Sequence, residues 1–327
     1  MRALQHERYG DPRKVLRLTE IPEPPAPGPG HVIMEPEAWS LNAADWHMVR
    51  GEPTFARLEL GLRAPKARVP GCDLAGTVTA TGDGVTHLSP GTRVLGTVFN
   101  AGFGAFAQRV TVPVDRLVPL PDGVDAPSAA ASPLAGSTAR QALERAGGVR
   151  PGMRVLVLGG TGGVGSFVVQ LARQAGAEVT ASASTANLDL LRGLGVQAID
   201  HTTTDPLAGG PEFDLLIQCG GTATARQCLT RVAKDGAAVL LSGDSPNTFF
   251  GPLGRLVGAK LLAPRVPQRL VTFTVAPTRD DLEFLAARLA DGSLVPVVGR
   301  EVAFEEIPDA LADLYRGGSA GKIVVRR

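Results

Sequence analysis

The chain has 327 residues, 44% of them hydrophobic, and a formal net charge of +1. That length suits about two domains with sizeable cores, and the near-neutral balance, without a basic block or acidic tail, argues against a nucleic-acid face or an anionic membrane surface. Cys72, Cys219 and Cys228 form no disulfide framework, the N-terminus lacks a signal-peptide core, and no apolar run is long enough to span a bilayer, so a soluble cytoplasmic protein is expected.

Residues 1–123 read as β-rich. Short apolar runs at 31–34, 76–80 and 93–96 are separated by Gly/Pro punctuation, and the proline-dense 21–30 reads as a loop. From 124 the texture changes. Residues 129–146 are small-residue helical material, and segments at 155–158, 164–175, 178–181, 187–194, 214–219, 222–232 and 237–241 then alternate between strand and helix. Residues 271–275 read as a sixth strand. This alternation predicts an α/β fold with a doubly wound parallel sheet, the Rossmann arrangement. Residues 244–268 are a long Pro/Gly-rich connection of the kind that tends to be functional or mobile. A helix follows over 280–290, and 321–325 read as a strand returning to the first domain. The expected layout is a catalytic domain at 1–123, a cofactor domain at 124–276 and a return at 277–327.

The most informative segment is the apolar run at 154–158 leading into Gly-Gly-Thr-Gly-Gly-Val-Gly at 159–165 and an amphipathic helix. Strand, glycine turn and helix start, in that order, are the parts that hold a dinucleotide pyrophosphate. Gly160 is expected to permit the tight turn and Gly162 to let phosphates approach the backbone past Thr161, Gly163 and Val164. Gly165 is expected to let helix pack on strand. The helix N-terminus then offers N–H groups and a positive dipole end to the anion.

Further segments add up to a family. They are Leu41-Asn42-Ala43-Ala44-Asp45-Trp46, Arg50-Gly51-Glu52-Pro53, Gly61-Leu62-Arg63-Ala64-Pro65-Lys66 and Pro70-Gly71-Cys72-Asp73-Leu74-Ala75-Gly76. Gly104-Ala105-Phe106-Ala107, Pro133-Leu134-Ala135-Gly136-Ser137-Thr138-Ala139 and Ala320-Gly321-Lys322-Ile323-Val324 complete the set. With the glycine turn, they make the chain resemble the medium-chain dehydrogenase/reductase superfamily, in its zinc-free quinone oxidoreductase branch, near the reticulon-interacting-protein-like NAD(P)H reductases. The resemblance implies a Rossmann domain inserted into a β-rich GroES-like catalytic domain. It also implies hydride transfer from NADPH to a small-molecule quinone or other conjugated carbonyl acceptor. An enoyl-thioester or enone double-bond reductase, and a non-catalytic NADPH-binding protein, are the alternatives. Zinc-free relatives often pair into homodimers, which leaves that state open.

Zinc alcohol dehydrogenases of the superfamily place a Cys near position 42 and Gly-His-Glu where Gly71-Cys72-Asp73 stands. Here Asn42 and Cys72 replace the Cys and the His, so no metal site is expected. By resemblance Asn42 and Thr138 lie at the nicotinamide end, Asn42 bonding ribose or substrate oxygen and Thr138 the carboxamide. A turn cap and a helix N-cap are their plainer alternatives. Cys219, Ser242, Phe273, Val275 and Lys322 are expected on the cofactor side. Trp46, His47 and Phe55 are candidates for the substrate cleft, with core packing the plainer reading of the two aromatic residues.

The NADPH expectation rests on residues past the glycine turn. An NAD site typically carries an acid at the end of the second strand. Here 178–182 has no acid at its end, and Ser184, Thr185 and Asn187 offer hydrogen bonds to a 2′-phosphate. The family usually adds a Lys or Arg where Ala186 stands and often a Tyr where His201 stands. Losing the cation forfeits on the order of 1.5–3 kcal/mol, so a preference of about 10- to 100-fold for NADPH is expected. His201 assists most when protonated, which would strengthen the preference toward pH ~6, although the phosphate gains a proton there as well.

Overall fold

The computed structural model describes residues 1–209, 212–241, 253–318 and 320–327. The chain begins with β1 (Arg2–Gln5), α1 (Pro12–Val15), β2 (Arg17–Glu20), β3 (His31–Ser40), α2 (Ala43–Arg50), α3 (Arg57–Leu60) and β4 (Asp73–Thr81). Next come β5 (Arg93–Thr97), β6 (Val110–Pro113), β7 (Leu117–Pro119), α4 (Ala126–Ala131) and α5 (Pro133–Arg145). The middle carries β8 (Arg154–Leu158), α6 (Gly163–Gln174), β9 (Glu178–Ala183), α7 (Leu188–Gly193) and β10 (Gln197–Asp200). It continues with β11 (Phe213–Gln218), α8 (Ala225–Leu229), β12 (Val232–Leu240), α9 (Leu253–Leu262) and β13 (Arg269–Thr272). The last part has α10 (Arg279–Ala290), β14 (Val298–Ala303), α11 (Ile307–Arg316) and β15 (Lys322–Arg326).

Two units result, Met1–Ser137 with Ala276–Arg327, and Thr138–Val275. In the first, a mixed sheet has the order β14-β15-β3-β4-β5-β7, with β6 also pairing β3. β3 is central, which is why Val32, Met34, Ala38 and Trp39 are all buried. Trp39 donates its indole N–H to the Ala105 carbonyl at 2.6 Å, so its large apolar body is buried without an orphaned polar group.

The expected break between 123 and 124 falls too early. Ala129, Ala130 and Ala131 of α4 lie in one apolar cluster with Ala38, Ala75, Leu95 and Val324 of the first sheet. Small side chains let this helix approach the strands closely, and they fix it to the first unit. The single helix expected over 129–146 is two helices, because Pro133 has no N–H to continue α4 and instead opens α5.

The second unit is a six-stranded sheet of order β10-β9-β8-β11-β12-β13. Every neighbouring pair is parallel. Numbered from β8, this is the doubly wound order 3-2-1-4-5-6. Val155, Leu156 and Val157 of β8 are wholly buried, as a strand covered on both faces requires. Sequence reading misses β10, a short edge strand without an apolar run. It also overextends α8, whose start is set by the Thr224–Gln227 capping box and whose expected end, Val232, opens β12. Among the described residues no helix is long and apolar enough to cross a membrane.

Candidate active site

The glycine turn forms at the C-terminal end of β8. Gly159, not Gly160, takes the left-handed backbone, with φ of +76°, which only glycine adopts readily. Its N–H donates to Ser182 Oγ at 3.1 Å, and the Gly160 N–H donates to the Ser182 carbonyl at 2.9 Å, tying the turn to β9. A Cβ on Gly160 would lie 2.6 Å from the Cβ of Ala181, and one on Gly165 only 2.1 Å from the Gly159 oxygen. Both glycines therefore serve close packing. Gly162 is different: a Cβ there would meet nothing nearer than 3.4 Å. Gly162 caps α6 without any side-chain bond to the helix start, and Gly163 and Val164 open the helix. N–H groups at this helix start have no side-chain partner in the cap, and no Cβ stands over them. This cradle fits a pyrophosphate. Thr161 is buried in the turn.

Beyond β9, Ser184 and Asn187 are half-buried and joined by an Asn187 Nδ2–Ser184 Oγ bond of 3.3 Å. Thr185 is committed elsewhere. Its hydroxyl donates to Asp200 Oδ2 at 2.6 Å, while Thr202 donates its own hydroxyl to Asp200 Oδ1 at 2.6 Å and its N–H at 2.9 Å. The bond from Thr185, then those from Thr202, hold the Asp200 carboxyl below the usual range. The expectation of an acid-free pocket is thus incomplete. An acid does stand beside the end of β9, supplied by the strand that sequence reading misses. His201, exposed, is anchored by its N–H to the Ala183 carbonyl at 3.0 Å.

Cys219 follows β11 and donates its N–H to the Leu158 carbonyl at 2.9 Å; burial pushes its thiol up to about 12, so it stays neutral. Phe273, just past β13, carries the Arg145 guanidinium 4.7 Å from its ring centre. Val275 ends this unit, half-buried. Thr138 is half-buried inside α5, well past its first residue, Pro133, so the N-cap alternative does not apply. Ser242 lies outside the described residues.

The first unit holds a buried polar nest. Asn42 precedes α2, and its N–H donates to Asp45 Oδ2 at 2.8 Å. Its side-chain amide donates to Asp73 Oδ2 at 3.0 Å and to the Ser40 carbonyl at 3.4 Å. Both amide hydrogens are thereby used, and the oxygen accepts from Lys322 Nζ, leaving Asn42 one lone pair. It retains one acceptor site and has no amide N–H to spare. Lys322 is 4% exposed, and its second partner is the Leu41 carbonyl at 2.9 Å, so the expectation that it contacts cofactor is corrected: it is sealed inside the first unit.

Burial raises the carboxyls of Asp45 and Asp73 and lifts the Cys72 thiol far above its ordinary range, while Lys322 is lowered by burial and pulled back by both aspartates. Among the described residues no group of three or more His, Cys, Asp or Glu side chains is arranged to hold a metal ion.

Two of the three expected cleft residues are held within the first unit. Trp46 is 5% exposed and stacks on Tyr315 at 3.8 Å between ring centres, so core packing accounts for it. His47 is half-buried, with Nδ1 2.7 Å from the Glu52 carbonyl, which ties α2 to the following loop. Phe55 is 40% exposed and remains available to a flat ligand.

Residues 28–122 match the family model of an alcohol dehydrogenase GroES-like domain, and residues 194–325 that of a zinc-binding dehydrogenase. The chain is 30% identical over 99% of its length to the chloroplastic quinone-oxidoreductase QR1 of Triphysaria versicolor, covering 98% of that protein. It is also 30% identical to the mitochondrial NAD(P)H oxidoreductase RTN4IP1 of Mus musculus, over 98% of this chain and 87% of the other. The solved structure of a quinone oxidoreductase from Coxiella burnetii superimposes with a TM-score of 0.87 at 27% identity, covering 100% of this chain and 99% of that one.

Proposed function

The chain belongs to the medium-chain dehydrogenase/reductase superfamily, and from that premise we propose a zinc-independent, NADPH-dependent oxidoreductase that reduces quinones or other conjugated carbonyl compounds. The observation that carries this reading is the glycine cradle at the end of β8, where an uncapped helix start faces outward over a glycine with no obstructing side chain. The family's cofactor is a nicotinamide nucleotide, and the cradle fits its pyrophosphate.

When bound, the nicotinamide supplies the hydride. The chain's own residues bind and orient. N–H groups of Gly163 and Val164 take the pyrophosphate, and Ser184, Asn187 and His201 serve the adenosine end. The Thr138 hydroxyl fixes the carboxamide, and the backbone at Phe273 and Val275 flanks the ring. Asn42 accepts from a ribose hydroxyl through its remaining lone pair. Water protonates the oxygen that gains charge, which suits a quinone because both acidic hydrogens of the single hydroquinone product sit on oxygen. Pro53 lies in the loop after α2 and offers no donor for protonating carbon.

A zinc ion fits this chain poorly. Structural and catalytic zinc is held by several Cys, His or carboxylate ligands, and Cys72 is the one thiol in this nest. The side chain at 42 is an amide already bonded to Asp73, and the Lys322 ammonium is the cation of that nest. The three cysteines are free, which supports a reducing, cytoplasmic setting.

The test is NADPH binding followed by fluorescence, and NADPH oxidation by a para-quinone, both after dialysis against a strong chelator. Binding and turnover are expected to survive. Protein that binds no nicotinamide nucleotide would overturn the reading.

A further inference from the structure

β9 and β10 are parallel neighbours, with Ala183 opposite Asp200, so the two strands deliver their C-terminal ends side by side. Asp200 does more than cap its own turn. One carboxylate oxygen takes the Thr202 N–H and hydroxyl, which is all a turn cap requires. The other crosses to the next strand and accepts the Thr185 hydroxyl at 2.6 Å. A full negative charge is thereby anchored beside Ser184 and Thr185, at the strand end over which the adenosine ribose lies in this fold. Thr185, whose hydrogen points to Asp200, is no donor to a phosphate.

We propose that Asp200 is the specificity-determining residue of the cofactor site, its carboxylate limiting the advantage of a nucleotide that carries a 2′-phosphate. This rests on the cofactor reading above. Repulsion between the carboxylate and a 2′-phosphate opposes the donors Ser184, Asn187 and His201, so NADPH is favoured over NADH by less than about tenfold, below the range expected from sequence alone. The charge acts on the phosphate and leaves NADH, which has only hydroxyls there, nearly untouched.

The experiment is fluorescence titration of NADPH and NADH into the whole protein and its variants. Asp200→Asn removes the charge while its amide oxygen still accepts from Thr202, and Asp200→Ser is a second neutral variant. Either should tighten NADPH about fivefold or more and move NADH by less than about twofold. Thr185→Val keeps the charge and should not tighten NADPH. Equal shifts for both nucleotides, or none, would overturn the proposal. Weakened NADH binding with NADPH unchanged would also overturn it, by making Asp200 a ribose acceptor. If the unaltered protein binds neither nucleotide, the cofactor reading itself falls, and this inference with it.

Discussion

Lys322 donates from a buried ammonium to the side-chain oxygen of Asn42, across almost the whole length of the sequence. A lone cation at such depth would be costly, but the Leu41 carbonyl accepts a second bond and Asp73 and Asp45 attract the charge. The same contact uses one lone pair of Asn42 and fixes its amide toward Asp73. Electrostatics in this nest therefore decide which way the only polar side chain at position 42 can face.

Replacing Lys322 with Met should destabilise the fold by about 3–5 kcal/mol, the range for removing one partner of a buried charge set. Urea unfolding measures it. A loss below about 1 kcal/mol would mean that the aspartates are protonated and need no cation.

Burial pushes the Asp45 carboxyl up to about 7, against the opposing pull of the Cys72 thiol and the Asn42 N–H. An unfolded aspartate titrates near about 3.9. Between these values the folded chain holds a proton that the unfolded chain has released. Stability from Asp45 is therefore complete below the unfolded value and is lost as pH rises through about 7. Asp73 shifts in the same direction. Asp45→Asn should flatten this loss, so the stability gap between the unaltered protein and the variant should move against the unaltered protein from acid to neutral pH. Parallel pH profiles for the two would contradict the assignment.

The glycine turn gives a sharper separation of packing from binding. Gly165→Ala puts a methyl 2.1 Å from a backbone oxygen that cannot yield. It should cost about 1–3 kcal/mol or more in stability, as overpacking does, and weaken nucleotide binding as well. Gly162→Ala meets nothing nearer than 3.4 Å, so the fold should melt almost unchanged while NADPH binding drops by about tenfold or more. A Gly162→Ala protein that binds NADPH as the original does would remove the cradle from the account.

Much of this was legible in the sequence, for reasons visible in particular residues. Val155 to Leu158 are a continuous apolar run because β8 is buried on both faces, and the helical spacing of Phe167, Val168, Leu171 and Ala172 follows the buried face of α6. Local signals carried those elements. What was missed depends on partners distant in sequence. β10 has only Gln-Ala-Ile-Asp and lies at a sheet edge, so it shows no apolar run, and with it Asp200 was overlooked. The inward course of Lys322 could not be seen either, because its partner lies 280 residues earlier. Sequence alone leaves Trp46 between a cleft wall and the plainer core packing, and the partner that places it in the core, Tyr315 of α11, lies far along the chain. A residue pair such as Ile199-Asp200 just before His201 and a run of threonines was the one available hint of a strand end.

The proposed metal independence rests on the donor set at 42, 72 and 73. Dialysis against a strong chelator should leave both turnover and melting temperature where they were. Stoichiometric zinc in the purified protein, with activity lost on its removal and restored by adding it back, would contradict the reading of Lys322 as the resident cation of the nest.

Acceptor choice separates a quinone reductase from a double-bond reductase when two acceptors are compared in chelator-treated protein. With NADPH as donor, kcat/KM is measured for a simple para-quinone and for a crotonyl thioester. Because Pro53 has no donor, Thr54 is only a weak substitute and the Asn42 amide is spent on Asp73 and Ser40, protonation of carbon is poorly served, while a reduced quinone takes its protons on oxygen from water, so the quinone should turn over faster. A preference of about tenfold or more for the thioester, equivalent to roughly 1.4 kcal/mol in transition-state binding, would contradict the account and make this chain a double-bond reductase instead.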